Sequence, residues 1–165
     1  MSFNSRLFAV TAIVLAVTSL SFAQQVWDGE DFYDWFWNGG NIRTVKTFDN
    51  VDVIFEGQIM IPPFDPADED QLPAGVYTVE FINGTSVTFR GGEEDPGGSL
   101  TITKGWWDNQ DAIGRIDAQG DENEMIVFDS AIEDELWGGI TIGTDTQEGN
   151  LLSYCEITNS WTCLG

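Results

Sequence analysis

The chain has 165 residues, the length of a single domain. Six Lys and Arg stand against 28 Asp and Glu, for a net charge of −22, and there is no histidine. This excludes nucleic acid as a partner, because its phosphates would meet a strongly negative surface, and it removes histidine-based acid–base chemistry and histidine-ligated metals. An anionic polysaccharide is repelled as well unless cations bridge it. Aromatic residues reach 13% and apolar residues 42%, which is not the composition of a disordered chain. An acidic, lysine-poor surface suits a salty medium, where screening limits self-repulsion.

Residues 1–23 read as a secretory signal peptide. Arg6 is a short basic region, Leu7 to Leu20 is an uncharged, mostly apolar run, and Ser21-Phe22-Ala23 is a small-x-small cleavage site. The run is too short to span a membrane and no second span follows, so the expected product is exported: secreted, extracellular or at the cell surface. The cleavage site has no cysteine for a lipid anchor.

Residues 24–43, QQVWDGEDFYDWFWNGGNIR, predict a short aromatic capping segment. Asp28 is the expected N-cap of a helix, with Asp31 in its first turn and Gly39-Gly40 at its end. Phe32, Trp35 and Phe36 then share one face.

From Thr44 the pattern becomes short alternating strands between Gly, Asp, Asn and Pro clusters. One series is anchored on Val53, Val76, Leu100, Ile126 and Leu152, and a second on Ile59, Val87, Ile116 and Ile140. Steps within each series are about 23 to 29 residues, and the two alternate strictly along the chain. Such interleaving predicts a solenoid with at least two strands per coil over residues 44–165. A β-sandwich with Gly-Gly hairpins is the alternative. Gly138-Gly139 is placed at a corner, with Trp137 over the corner or against a neighbouring coil. Gly114 is read as leading the equivalent strand one step earlier.

Three stretches carry a resemblance: GRIDAQGDENEMIVFDSA (114–131), ELWGGITIG (135–143) and NLLSYCEITNSW (150–161). They resemble the right-handed parallel β-helix repeats of secreted and cell-surface bacterial proteins, in which a Gly-x-Leu-x-Ala coil is followed by Trp-x-Gly-Ile and then a strand ending Leu-x-Tyr-Cys-x-Ile. Residues 99–161 carry the likeness well and residues 44–98 loosely. The resemblance implies an all-β, right-handed parallel β-helix of about four to five coils. It implies a non-catalytic cell-surface or extracellular scaffold that presents a ligand-binding face, for adhesion or, on the strength of Trp106 and Trp107, for carbohydrate; the alternative is the N-terminal part of a polysaccharide lyase or glycosidase of that fold.

Such proteins have more coils, so the chain reads as a truncated piece whose last coil leaves an open strand edge for end-to-end contact. Closure by Trp161 with a Cys155–Cys163 bridge, or by another subunit, is the other expectation. Cys155 and Cys163 are permitted a disulfide by export, and equally two unpaired thiols; spacing does not decide.

For chemistry, neither cysteine has a histidine partner, and no phosphate loop or nucleophile elbow is present. Asp117 and Glu156 are the strand-face acids that a glycosidic mechanism would need, with nothing in the sequence to pair them. Acidic clusters occur at 65–70 and 120–124. Asp121, Glu122 and Glu124 are the calcium candidates, against a solvated acidic loop; 65–70 and Glu93, Glu94, Asp95 take the latter reading. No other cofactor is implied. Trp106 and Trp107, in the loop GWWDNQD, are the candidate sugar-stacking residues; Trp27, Trp35 and Trp37 read first as cap. Asn83-Gly84-Thr85 is a glycosylation sequon, and also an Asn-Gly turn.

Overall fold

The structure, a computed structural model, describes residues 24–38, 41–63, 72–91, 97–105, 111–146 and 148–161. Trp106, Trp107, Cys163, the acidic runs at 65–70 and 93–95, and residues 1–23 lie outside the described residues. Strand β1 (Gln25–Trp27) leads into helix α1 (Gly29–Trp37). Among the described residues eleven strands follow: β2 (Val45–Asp49), β3 (Asp52–Glu56), β4 (Gln58–Ile61), β5 (Gly75–Ile82), β6 (Ser86–Arg90), β7 (Ser99–Ile102), β8 (Ala112–Gln119), β9 (Ile126–Ser130), β10 (Ile140–Ile142), β11 (Leu151–Ser153) and β12 (Cys155–Ile157).

These make an all-β architecture of three parallel sheets: five-stranded β1-β3-β6-β9-β12, four-stranded β2-β5-β8-β11 and three-stranded β4-β7-β10. From β2 onward the chain visits the four-, five- and three-stranded sheets in that order and repeats it. Every strand pair is parallel, and partners lie about 28 to 41 residues apart in sequence.

This corrects the two-series reading. Val53 pairs with Val87, Leu100 with Ile59 and Ile140, and Val76 with Ile113. The series therefore joined strands of different sheets. All strands carry the same period-two pattern, so nothing local marks which sheet a strand enters. Gly114 and Gly138 are likewise not equivalent: Gly114 lies inside β8, whereas Gly138-Gly139 leads into β10. The stretch 151–157 is two strands, because Tyr154 takes a left-handed conformation (φ 50°) and turns the chain from one sheet to the next.

Inward residues recur in the same row circuit after circuit, and this sets the core. Ile59, Leu100 and Ile140 form one row, Val53 and Val87 another, and Phe48, Phe81 and Ala118 a third, all buried. Full burial of each Val, Ile or Phe contributes about 1.5–3 kcal/mol. Phe48 stacks on Phe81 (5.5 Å, 10°), and Phe89 stacks on Trp137 (4.0 Å, 5°). Trp137, fully buried, thus packs against the circuit before its own, and its Nε1–H donates to the Thr158 carbonyl (2.7 Å).

Helix α1 forms as its sequence predicts. The Asp28 side chain accepts from the Asp31 N–H (2.9 Å), and the Asp31 carboxylate accepts from the Asp28 N–H (3.1 Å), a reciprocal capping box. The helix packs against β1, β2 and β4, which are the outer strands of the three sheets. Phe32 and Phe36 are buried beneath it, Phe32 edge-on to Phe55 and Phe36 edge-on to Tyr77. Lys46 points inward beside Phe48 on β2. Its Nζ lies 4.0 Å from the Trp27 ring centroid, 4.9 Å from Phe48 and 5.2 Å from Trp35. Burial, and then Arg43, hold its pKa below the usual lysine value.

At the opposite end, among the described residues, β10, β11 and β12 each pair on one side only. Trp161 is 74% exposed there and does not cover them. Cys155 is a free, half-buried thiol whose pKa is raised by burial.

Candidate functional site

The outer face of the four-stranded sheet concentrates polar chemistry. Alternation turns Arg115, Asp117 and Gln119 outward from β8, while Gly114, Ile116 and Ala118 turn inward. Parallel register then builds three rows: Val45–Thr78–Arg115, Thr47–Glu80–Asp117–Leu151 and Asp49–Ile82–Gln119–Ser153. Thr47 Oγ1 donates to Glu80 (2.8 Å), and Gln119 Nε2 donates to Asp117 (2.8 Å).

The face ends at the corner where the chain passes to the five-stranded sheet. Left-handed residues stand there, Asn50 (φ 47°), Asn83 (φ 53°) and Tyr154 (φ 50°), in three of the four turns from this sheet to the five-stranded one. Between the last two comes Gly120, where a Cβ would lie 2.7 Å from both the Glu124 and the Tyr154 carbonyl oxygens. Only glycine allows the loop 121–124 to close so tightly against the strand. Asp121 Oδ1 accepts from the N–H groups of Asn123 (2.7 Å) and Glu124 (3.0 Å) and fixes the loop.

A pocket of about 260 Å³ opens here, lined by Asn83, Gln119, Gly120, Asp121 and Glu124. Two amides and two carboxylates give it donors and acceptors suited to hydroxyl groups. Tyr154, 52% exposed, flanks Gly120 through its backbone.

The calcium candidates divide at this loop. Asp121 and Glu124 line the pocket, and Glu122 is exposed and not among its lining residues. Among the described residues no group of three or more carboxylate or thiol side chains converges. Asp117 and Glu156 are not brought together: they lie on different sheets, and their register neighbours are Glu80 with Leu151 and Val127 respectively. The sequon serves structure. The Asn83 amide donates to Asp49 (2.6 Å), and the fully buried Thr85 hydroxyl bonds the Phe48 and Ile82 carbonyls (3.0 and 2.7 Å).

Sequence reasoning missed Asn83 and Gln119 as pocket residues, and Glu80 and Arg115 as their neighbours on the same face. The usable signal was the repeated Asn or Gly at one corner, but reading it requires the register. No protein-family model, curated protein or solved structure matches this chain. Among the described residues no helix is long and apolar enough to cross a membrane.

Proposed function

We propose that this chain is an exported, non-catalytic scaffold of the right-handed parallel β-helix type that binds carbohydrate on its four-stranded sheet. The cyclic order of three parallel sheets supports the solenoid reading, because stacked coils generate that order and a sandwich does not. The observation that carries the binding reading is the corner pocket. Its amide and carboxylate lining matches the paired hydroxyls of a sugar, and its size, below the about 300–1,000 Å³ of ordinary small-molecule sites, suits a single ring.

Affinity electrophoresis through a panel of polysaccharides tests this. The wild type is expected to be retarded by at least one, and Gln119→Ala with Asp121→Ala to lose that retardation by at least tenfold. Unchanged retardation of the double variant refutes the corner. Trp106→Ala with Trp107→Ala, run beside it, measures what those rings add. Release of new reducing ends or unsaturated products from a retained polysaccharide would favour the lyase or glycosidase reading. Calcium is a secondary reading. Asp121, Glu124 and two amide oxygens supply part of the six to eight oxygens the ion takes, so bound calcium would keep waters. A melting temperature that does not move on calcium titration removes it.

A further inference from the structure

We propose that the guanidinium of Arg115 is a carboxylate seat, so that the favoured ligand of the four-stranded sheet is an acidic saccharide with its carboxylate on Arg115. The proposal rests on the carbohydrate reading above and names the ligand class.

Two independent observations carry it. First, Arg115 Nε is buried and has no hydrogen-bond partner. Among the described residues the ion pairs are Arg90–Glu56 and Lys104–Asp145, so Arg115 belongs to neither. A buried N–H without an acceptor is costly, and a guanidinium more so. Second, the group lies in a cradle. At Gly149 (φ +85°) a Cβ would stand 2.9 Å from both Nε and Cζ of Arg115 and 3.2 Å from Nη2. A side chain there would crowd the guanidinium, so Gly149 leaves it room beside the backbone.

Nor is the vacancy in Arg115's bonding a shortage of acids on a chain of −22. Asp117, two residues along the same face, accepts from Gln119, and Glu80 on the neighbouring strand accepts from Thr47. Neither carboxylate is paired with Arg115, and its Nε–H is left without an acceptor. A carboxylate matches the planar guanidinium fork with two parallel bonds. Thr78, in register with Arg115 on β5, adds a hydroxyl beside it.

Arg115 and Gln119 are four residues apart on β8, about 13 Å at roughly 3.3 Å per residue. The seat and the corner pocket therefore mark the two ends of a track longer than one sugar ring. Net negative charge still repels polyanions at long range. That repulsion falls off beyond about 8 Å at physiological salt, which leaves contact with a single carboxylate to Arg115.

The test is ¹H–¹⁵N NMR of the arginine Nε–H region during titration with glucuronate, glucose and acetate. The Arg115 Nε–H signal is expected to shift saturably with glucuronate and not with glucose. Arg115→Lys and Arg115→Gln, with backbone spectra otherwise like the wild type, are expected to bind glucuronate at least tenfold more weakly. A linear, non-saturating shift, or equal affinity in either variant, overturns the seat and leaves the Nε–H to water. If glucose moves the Gln119 and Asp121 amides while Arg115 is silent to glucuronate, the seat falls and the carbohydrate face stands. If Arg115 saturates with acetate and glucuronate alike while the corner amides stay still, the seat stands and the corner reading falls.

Discussion

Gly114→Ala measures how closely the sheets approach across the core. Gly114 faces inward on β8, and its N–H donates to the Thr103 carbonyl (2.8 Å). A Cβ at this position would lie 2.5 Å from the Ile61 carbonyl carbon and 3.0 Å from Pro62 N, and closer still to the Ile61 oxygen. Carbon atoms in contact sit about 3.5–4.0 Å apart, so the backbones must part by about 1 Å. That same Ile61 oxygen accepts the Thr103 N–H (2.9 Å). Overpacking costs about 1–3 kcal/mol, and weakening that hydrogen bond adds about 1 kcal/mol. Alanine's smaller unfolded-state entropy offsets about 0.5–1 kcal/mol. The net is a loss of about 1–3.5 kcal/mol. At roughly 2–4 °C per kcal/mol this is a melting temperature lower by about 2–14 °C.

Thermal and urea unfolding followed by tryptophan fluorescence reads the change, with two other glycines as internal controls. At Gly143 a Cβ would meet the Ile102 oxygen at 3.3 Å, and alanine should cost under about 1 kcal/mol. At Gly29, the first residue of α1, the nearest atom is 3.8 Å away, and alanine should gain about 0.5–1 kcal/mol. Equal melting temperatures for the three variants would refute the reasoning.

Four further outcomes are expected. Trp137→Ala, which removes a buried ring stacked on Phe89, should cost about 3–5 kcal/mol in urea unfolding and reduce the near-UV circular dichroism. Asp28→Ala should cost about 1 kcal/mol through loss of the α1 cap, read by the same unfolding. Burial raises the Tyr77 pKa above its usual value near 10, so its stabilising contribution is present below that pH and is lost as pH rises through the raised value. Tyr77→Phe should flatten the alkaline decline while losing the bond to the Pro73 carbonyl (2.8 Å), about 1 kcal/mol at neutral pH. In a Cys163→Ser background, Cys155 should react with iodoacetamide at pH 8 more slowly when folded than in urea, because burial holds its thiol protonated.

Much of the local structure was legible in the sequence. Asp28 and Asp31 announce the helix start through chemistry confined to one turn. The buried and outward residues of SVTF and GRIDA follow from strict alternation. Pairing was not legible, because Val, Ile and Phe occupy inward positions in every sheet. The corner loops also differ in length, so partners recur at about 28 to 41 residues rather than at a fixed period. Tyr154 hid a corner inside an unbroken alternating run, since a bulky residue rarely takes the left-handed region. At the site, Asp121 and Glu124 stood out as an acidic run. Arg115 did not, because Asp117, two residues along, suggests an ion pair that the fold withholds.

Lys46 links this structure to ionic conditions. At 1 M salt the screening length falls to about 3 Å, and a protein held by surface ion pairs loosens. Here the end of the core beneath α1 is fastened by an ammonium against uncharged rings, at contact distance and partly out of water, where dissolved ions compete little. Salt therefore relieves the mutual repulsion of 28 acidic side chains while leaving that fastening in place. The melting temperature is therefore expected to rise with added salt and to fall on dilution.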